Sequence, residues 1–341
     1  MEAIPRPRPT EPARDLKAFA QGIVSGKAEK GEIKEVLLTL NRRGITGPDI
    51  LALASAFQEA SVPAHTRFPL VADLCGTGGG ALRTFNISTA ASFVVAGCGV
   101  PVAKHGNRSN AGPSGSADVL EALGARLALS PDTASKILDE IGYSFFFAPS
   151  FNPAMRHAAA ARKEIGGRTA FNLLGPLLNP VRARRRQLIG VSDPGMMDIL
   201  PTILGDLGIE RGMVVHGSPG IDEASTLGTT EAVLVEGERC EKLSLDPREL
   251  GLSIASPADL ADRSPVASAT LLRRLLHEGG PDAARDVVLL NAACALLAFG
   301  RARDVDQGIG MAERALDSGR AAQRLERFVT LSRRVSARKV G

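Results

Sequence analysis

Apolar positions recur at helical spacing from the start of the ordered pattern: Leu16, Phe19 and Ile23, then Ile33, Val36, Leu37 and Leu40. Breaks at Gly26-Lys27-Ala28, Arg43-Gly44 and Gly47-Pro48-Asp49 predict about three helices between Asp15 and Ala60, with Thr46 capping the third. Ser61 to Arg67 has turn residues and no period, and reads as a linker. The pattern then changes. An apolar run, Phe68–Ala72, leads into Asp73-Leu-Cys-Gly-Thr-Gly-Gly-Gly80, and Ile87 to Cys98 reads as a buried helix. Strand candidates follow at Val100–Ala103, Arg126–Leu129, Phe145–Ala148, Gln187–Val191, Met213–His216 and Glu231–Val235. Between them lie helical patterns at Ser116–Leu123, Asp132–Ile141, Pro153–Ile165 and Met196–Leu207. Beyond Pro265 the chain is helical, most clearly over Ala267–His277, Ala283–Phe299 and Ile309–Asp317. Strands alternating with helices predict an α/β fold with a mostly parallel sheet flanked by helices, preceded by a small all-helical unit.

Composition narrows the setting more than the function. The 341 residues are 44% hydrophobic and 23% charged, which suits an ordinary globular protein with a substantial core. A net charge of +4 implies no general polyanion surface and leaves room for a local anion site. Cys75, Cys98, Cys240 and Cys294 have no metal-ligand spacing and read as reduced thiols. Met1–Thr10 is rich in Pro and Arg and lacks the apolar core of a signal peptide. No stretch is apolar and long enough to span a membrane, so a cytoplasmic setting is expected.

Candidate chemistry gathers where strands end, since open parallel sheets bind ligands at the carboxyl ends of their strands. The glycines of 76–80 allow backbone N–H groups to approach an anion, and a helix N-terminus follows with Asn86, Ser88 and Thr89. The same loop could be only a tight turn, and it fits neither the lysine-bearing phosphate loop nor the dinucleotide fingerprint. Lys104-His-Gly-Asn-Arg108 suits an anionic substrate or a solvated loop equally well. Asp222-Glu223, after another strand, is either an exposed acidic pair or a seat for a hard cation beside phosphate oxygens. Arg162 is either a carboxylate partner or an ordinary helix-surface arginine. Arg182, Arg184, Arg185 and Arg186 read as a solvated connector, without the interleaved aromatics of a single-strand binder.

Taken in order, Gly76-Thr-Gly-Gly79, Asn86-Ile-Ser-Thr89, Lys104-His-Gly-Asn-Arg108, Ser114 to Gly124, Arg168-Thr-Ala-Phe-Asn-Leu-Leu-Gly-Pro176 and Gly220-Ile-Asp-Glu223 resemble the motifs of the anthranilate phosphoribosyltransferase family. The resemblance covers most of the chain. It implies a nucleoside phosphorylase/phosphoribosyltransferase-like architecture: a helical domain of residues 1–67, joined by about 168–186, beside an α/β domain of 68–341. It implies a homodimer joined through the helical parts, and neither nucleic-acid nor membrane partners. The implied reaction moves the 5-phosphoribosyl group of phosphoribosyl diphosphate to the amino group of anthranilate, releasing pyrophosphate.

By the same resemblance Gly76, Gly79, Gly80, Thr84, Asn86, Ile87, Ser88, Thr89, Lys104, Asn107, Arg108, Gly112 and Ser116 would hold phosphoribosyl diphosphate. Gly76, His105, Asn107, Arg162 and Pro176 would hold anthranilate, and Ser88, Asp222 and Glu223 would hold Mg2+. No general base is assigned, because an aromatic amine is already neutral at pH 7. The chain departs from the family's pattern at Gly80, where an acid is usual, at Asn110-Ala-Gly-Pro113, which has fewer hydroxyls, and at Asn152, where histidine is common. The rival readings are a pyrimidine nucleoside phosphorylase, which would not need the acidic pair, and a non-catalytic nucleic-acid-binding relative, supported only by the arginine cluster.

Overall fold

The amphipathic stretches near the start form α1 (Arg14–Val24), α2 (Lys30–Arg43) and α3 (Gly47–Glu59). Thr46 caps α3 as expected: its N–H and its hydroxyl both donate to Asp49, at 2.9 and 2.6 Å. The computed structural model describes residues 4–5, 14–80, 82–109, 112–261 and 263–334. Met1–Thr10, apart from Ile4–Pro5, lies outside them, and so do Asn110 and Ala111 of the atypical loop.

Among the described residues, eight strands form one sheet: β1 (Ile4–Pro5), β2 (Leu70–Gly76), β3 (Val102–Gly106), β4 (Tyr143–Phe147), β5 (Arg184–Gly190), β6 (Arg211–Gly217), β7 (Thr230–Glu236) and β8 (Arg239–Leu245). Their spatial order is β1-β8-β7-β6-β5-β2-β3-β4. The run β6-β5-β2-β3-β4 is parallel throughout, and β7, β8 and β1 add antiparallel pairs at one side. From β2 the chain winds outward through β3 and β4, then returns to the other side of β2 for β5 and β6. The crevice between the ends of β2 and β5 is therefore the switch point of the sheet, where ligands of open α/β folds bind.

The remaining helices are α4 (Ile87–Gly97), α5 (Ser116–Ala122), α6 (Pro131–Ile141), α7 (Ala148–Phe151), α8 (Ala159–Ile165), α9 (Ala170–Leu174), α10 (Met196–Ile203), α11 (Pro257–Leu260), α12 (Pro265–Glu278), α13 (Asp282–Phe299), α14 (Val305–Asp317) and α15 (Arg320–Arg334). Alternation along the strands divides the apolar interior in two. Leu188, Met213, Val215 and Leu234 face a core built on α4 and α13. Ile189, Val214, Val233 and Val235 face a second core that contains Leu37 and Phe57 of the first helices, Phe171, Leu174 and Leu177, and Leu200 and Ile203 of α10. No described helix is long and apolar enough to cross a membrane, and none of the four cysteines is in a disulfide.

Four readings of the pattern need correction. Arg126–Leu129 buries Leu127 and Leu129 alternately, like a strand, but no strand among the described residues pairs with it, and the Arg126 N–H donates instead to Ser332 on α15 at 3.0 Å. The strand expected at Val100–Ala103 begins only after Pro101, which has no N–H to donate, and it continues through Lys104 and His105. Pro153–Ile165 is a 3-10 turn over Pro153–Ala158 followed by α8. The arginine run is no solvated connector. Arg184–Arg186 is part of β5, Arg185 is buried with its guanidinium on the Asn179 carbonyl, and Arg182 and Arg186 donate to the carbonyls of Gln58 and Phe299. The pattern does not reveal β8, because only Leu245 among its residues is buried, which erases the apolar signal.

Candidate active site

Glycine is required at the switch point by close approach rather than by turning alone. Gly76 ends β2 and pairs across the sheet with Gly190 of β5, and a Cβ on either would run into Asp222. The loop then turns through Gly78 (φ +72°) and Gly79 (φ +75°), a conformation other residues rarely adopt. The Gly78 N–H donates to the Asp222 carboxylate at 2.7 Å. The Gly78 carbonyl accepts from Ser192 Oγ at 2.9 Å and from Arg168 Nη2 at 2.9 Å, and the Gly79 carbonyl accepts from Arg168 Nη1 at 3.4 Å. Gly80 packs on the Gly220 carbonyl so closely that a Cβ would stand 2.9 Å from it. An acid at this position would require the backbone of one loop to move.

The N-terminus of α4 closes the other side of the crevice. Asn86 stands at the cap position without capping the helix: its amide instead exchanges hydrogen bonds with Ser114, whose Oγ donates to Asn86 Oδ1 at 3.0 Å. The Ser88 N–H donates to Glu223 Oε1 at 3.3 Å. Lys104 is buried, and its Nζ donates to the Leu74 carbonyl at 2.7 Å and to Ser88 Oγ at 3.3 Å. Ile87 and Thr89 point into the interior, where the Thr89 hydroxyl is buried with no hydrogen-bond partner among the described residues. Thr84 bridges to Ala261.

The acidic pair faces this helix end. Asn291 on α13 holds the next residue, accepting from the Ala224 N–H at 2.9 Å and donating to its carbonyl at 2.7 Å. Burial raises the Asp222 carboxyl, against the Gly78 N–H and the Arg168 charge. Burial, then the neighbouring Asp222, pushes Glu223 up to about 8, with Lys104 and Ser88 opposing. Two acids thus converge where their negative charge is poorly compensated.

A second polar cluster lies at β2, β3 and β5. Asp73 Oδ2 is 2.6 Å from His105 Nδ1, 2.9 Å from Asn179 Nδ2 and 3.3 Å from Gln187 Nε2. His105 Nε2 is 2.6 Å from the Gly175 carbonyl, so both ring nitrogens face oxygen partners within the protein. Gln187 also donates to the Pro176 carbonyl at 2.5 Å. His105 therefore grips the segment that carries Pro176 and has no polar atom left for a substrate. Asn152 is buried nearby, donating to the Leu178 carbonyl at 3.0 Å. Arg162 is different: half-buried on α8, with its guanidinium 5.5 Å from the centre of the Phe171 ring, it has no ion-pair or hydrogen-bond partner among the described residues. Burial alone lowers its pKa.

The sequence-derived residues thus separate. Gly76, Gly79, Gly80, Asn86, Ser88, Lys104, Asp222 and Glu223 form one crevice. Asn107 is exposed, and its Oδ1 accepts from the Arg108 N–H at 2.8 Å. Arg108 turns to α5, where it pairs with Glu121 at 2.5 and 2.7 Å and with Asp118 at 3.1 Å. The Gly112 N–H is taken by Ser109 Oγ at 2.7 Å, and Ser116 begins α5. The sequence assigns no role to Arg168, Ser192, Asn291, Asp73, Asn179 or Gln187. An acid at 73 inside an apolar strand is the one available signal, because the other contacts join segments far apart in the chain.

Known proteins share this fold. Residues 69–322 match the model of the glycosyl transferase family, a/b domain. The chain is 45% identical over 307 residues to the anthranilate phosphoribosyltransferase of Moorella thermoacetica, covering 90% of each. The crystal structure of anthranilate phosphoribosyltransferase from Thermus thermophilus superposes with a TM-score of 0.88 at 37% identity, over 95% of this chain and 97% of that one. The Saccharomyces cerevisiae enzyme in complex with PRPP and Mg superposes at 0.85 with 26% identity, over 93% and 92%. A glycine crevice at the switch point, an acidic pair opposite it and this extent of likeness have one common explanation: the chain belongs to the anthranilate phosphoribosyltransferase family.

Proposed function

We infer that this chain transfers the 5-phosphoribosyl group of phosphoribosyl diphosphate to the amino group of anthranilate, with loss of pyrophosphate, as a step of tryptophan biosynthesis. The observation that carries the reading is the convergence of the glycine loop, the N-terminus of α4, Lys104 and the Asp222–Glu223 pair on one crevice. The loop supplies N–H donors for phosphate oxygens, and the helix end adds its partial positive charge. Lys104 adds a buried positive charge on the Ser88 side. Asp222, Glu223 and Ser88 Oγ suit Mg2+. The acids are burdened by burial and short of positive charge, and hard cations prefer oxygen ligands. Three protein oxygen donors leave coordination positions for substrate oxygens. Magnesium bound there would neutralise charge developing on the departing diphosphate.

The protein's own part is positioning and electrostatics. Lys104 and the backbone donors are fixed before the substrate arrives, so they stabilise the leaving group without reorganising. Arg162 would take the anthranilate carboxylate, since a half-buried guanidinium without a partner gains most from one. Its platform, Phe171, and Pro176 belong to the segment gripped by His105 and Gln187. Arg108, engaged by Glu121 and Asp118, is left out of the substrate set.

The helical domain of residues 1–67 with about 168–186 is supported by the core that α1–α3 share with Phe171, Leu174 and Leu177. A homodimer would join through an apolar groove of about 650 Å³ between α1 and α2, lined by Leu16, Phe19, Ala28, Val36 and Leu40. The enzyme would work in the cytoplasm, where both substrates are soluble metabolites. The test is anthranilate fluorescence. It should fall on adding phosphoribosyl diphosphate with Mg2+, and stay constant if either is omitted. Constant fluorescence in the complete mixture refutes the reading.

A further inference from the structure

Arg168 is exposed, yet its guanidinium makes two directed hydrogen bonds to the backbone of the glycine loop, to the carbonyls of Gly78 and Gly79. Ser192 Oγ grips the first of these carbonyls from another element. The backbone of Arg168 is itself held, its carbonyl accepting from Asn41 Nδ2 of α2 at 2.8 Å. The guanidinium also packs on Gly79, where a Cβ would lie 3.2 Å from its Cζ. A trans peptide is planar, with its C=O and the following N–H pointing in opposite directions. Fixing the Gly78 and Gly79 carbonyls on the Arg168 side therefore turns the N–H groups of Gly79 and Gly80 away from it. Among the described residues neither N–H has an acceptor. Two consecutive free amides in a glycine turn form an anion-binding concavity.

We propose that Arg168 is a positioning residue for the reaction: by clasping the carbonyls of Gly78 and Gly79 it presents the amides of Gly79 and Gly80 to the diphosphate of phosphoribosyl diphosphate. This rests on the reading of the crevice given above. Positioning outweighs simple attraction, because the charge of an exposed arginine is screened by water, whereas a two-pronged bond fixes the direction of two peptides. Left-handed glycines such as 78 and 79 have little conformational preference of their own, so the clasp decides which way the peptides face. Arg168 also follows the Arg162 helix and precedes Phe171, so it joins the anthranilate segment to the phosphate loop.

The test compares R168A, R168K and S192A by calorimetric titration with phosphoribosyl diphosphate and Mg2+, with steady-state kinetics and thermal melts alongside. R168A should weaken phosphoribosyl diphosphate about ten-fold or more while KM for anthranilate changes less than about two-fold. R168K keeps the charge and loses the fork, and should recover only a minor part. S192A, which leaves the Arg168 fork intact, should show a smaller loss of the same kind. The melting temperature should stay within about 2 °C, since the side chain is exposed. Wild-type affinity in R168K would assign the effect to charge, and in R168A would leave the clasp without a role. Equal weakening of both substrates, or a large drop in melting temperature, would make Arg168 a residue of the fold. A wild-type chain that binds no phosphoribosyl diphosphate overturns the reading of the crevice itself.

Discussion

Asp73 is a buried carboxylate and the Asp222–Glu223 pair a half-buried one at the same sheet, and their surroundings treat them in opposite ways. Burial pushes Asp73 up, but His105, Asn179 and Lys104 together outweigh it and hold the carboxyl below its ordinary value. Burial raises Asp222 against the Gly78 N–H and the Arg168 charge, and burial followed by the neighbouring Asp222 takes Glu223 to about 8. A charge fully matched by hydrogen bonds and a cation stabilises a structure. A charge pair left short of both is poised for something that arrives later. The difference separates scaffold from site more sharply than burial does.

The strongest way to break this comparison is to remove the unmatched pair. Asp222→Asn with Glu223→Gln keeps shape and loses both charges, and activity should fall about a thousand-fold. The rise in melting temperature produced by Mg2+ should vanish, while the metal-free variant should melt no lower than wild type. An unchanged magnesium response would return the pair to the category of ordinary acids.

Removing the matched charge should act on stability instead. Asp73→Asn leaves His105 without its anion, and is expected to cost about 3 kcal/mol in denaturant unfolding. The two acids also carry opposite pH signatures. Asp73 has its folded pKa below the unfolded value of about 3.8, so its contribution is present above that pH and is lost on acidification; D73N should flatten the acid limb of stability. Glu223 has its folded pKa raised from 4.5 to about 8, so in metal-free protein stability declines as pH rises across that window, and E223Q should remove the decline. Matching pH slopes in the two variants would erase the distinction.

Arg162 extends the comparison to cations, as the half-buried guanidinium without a partner among the described residues. Arg162→Ala should raise KM for anthranilate about ten- to a hundred-fold and leave the affinity for phosphoribosyl diphosphate nearly unchanged. Equal losses for both substrates would place it with Asp73, as part of the frame. Arg108 is the matched counterpart on the surface. Its pairs with Glu121 and Asp118 are solvent-screened, so Arg108→Ala should cost less than about 1 kcal/mol and shift KM for phosphoribosyl diphosphate by no more than about three-fold. A large kinetic effect would bring it back into the phosphate set.

The order of elements, the mostly parallel sheet and the helical start were legible in the sequence, because periodicity and capping are local and read the same in any context. The glycine loop, Ser88, Lys104 and the acidic pair were legible as well, since close backbone approach and strand-end chemistry restrict residue types at short range. Tertiary structure alone decided the rest. That Arg126–Leu129 pairs with no strand, that Arg185 is buried in β5, and that Arg108 is spent on α5 depend on neighbours far along the chain. So does the difference between Asp73 and Glu223, two carboxylates whose local sequence says little about which cation or amide will meet them. Local preferences name the elements, whereas the free energy of a buried charge is set by everything within a few ångströms, and only the folded chain determines what that is.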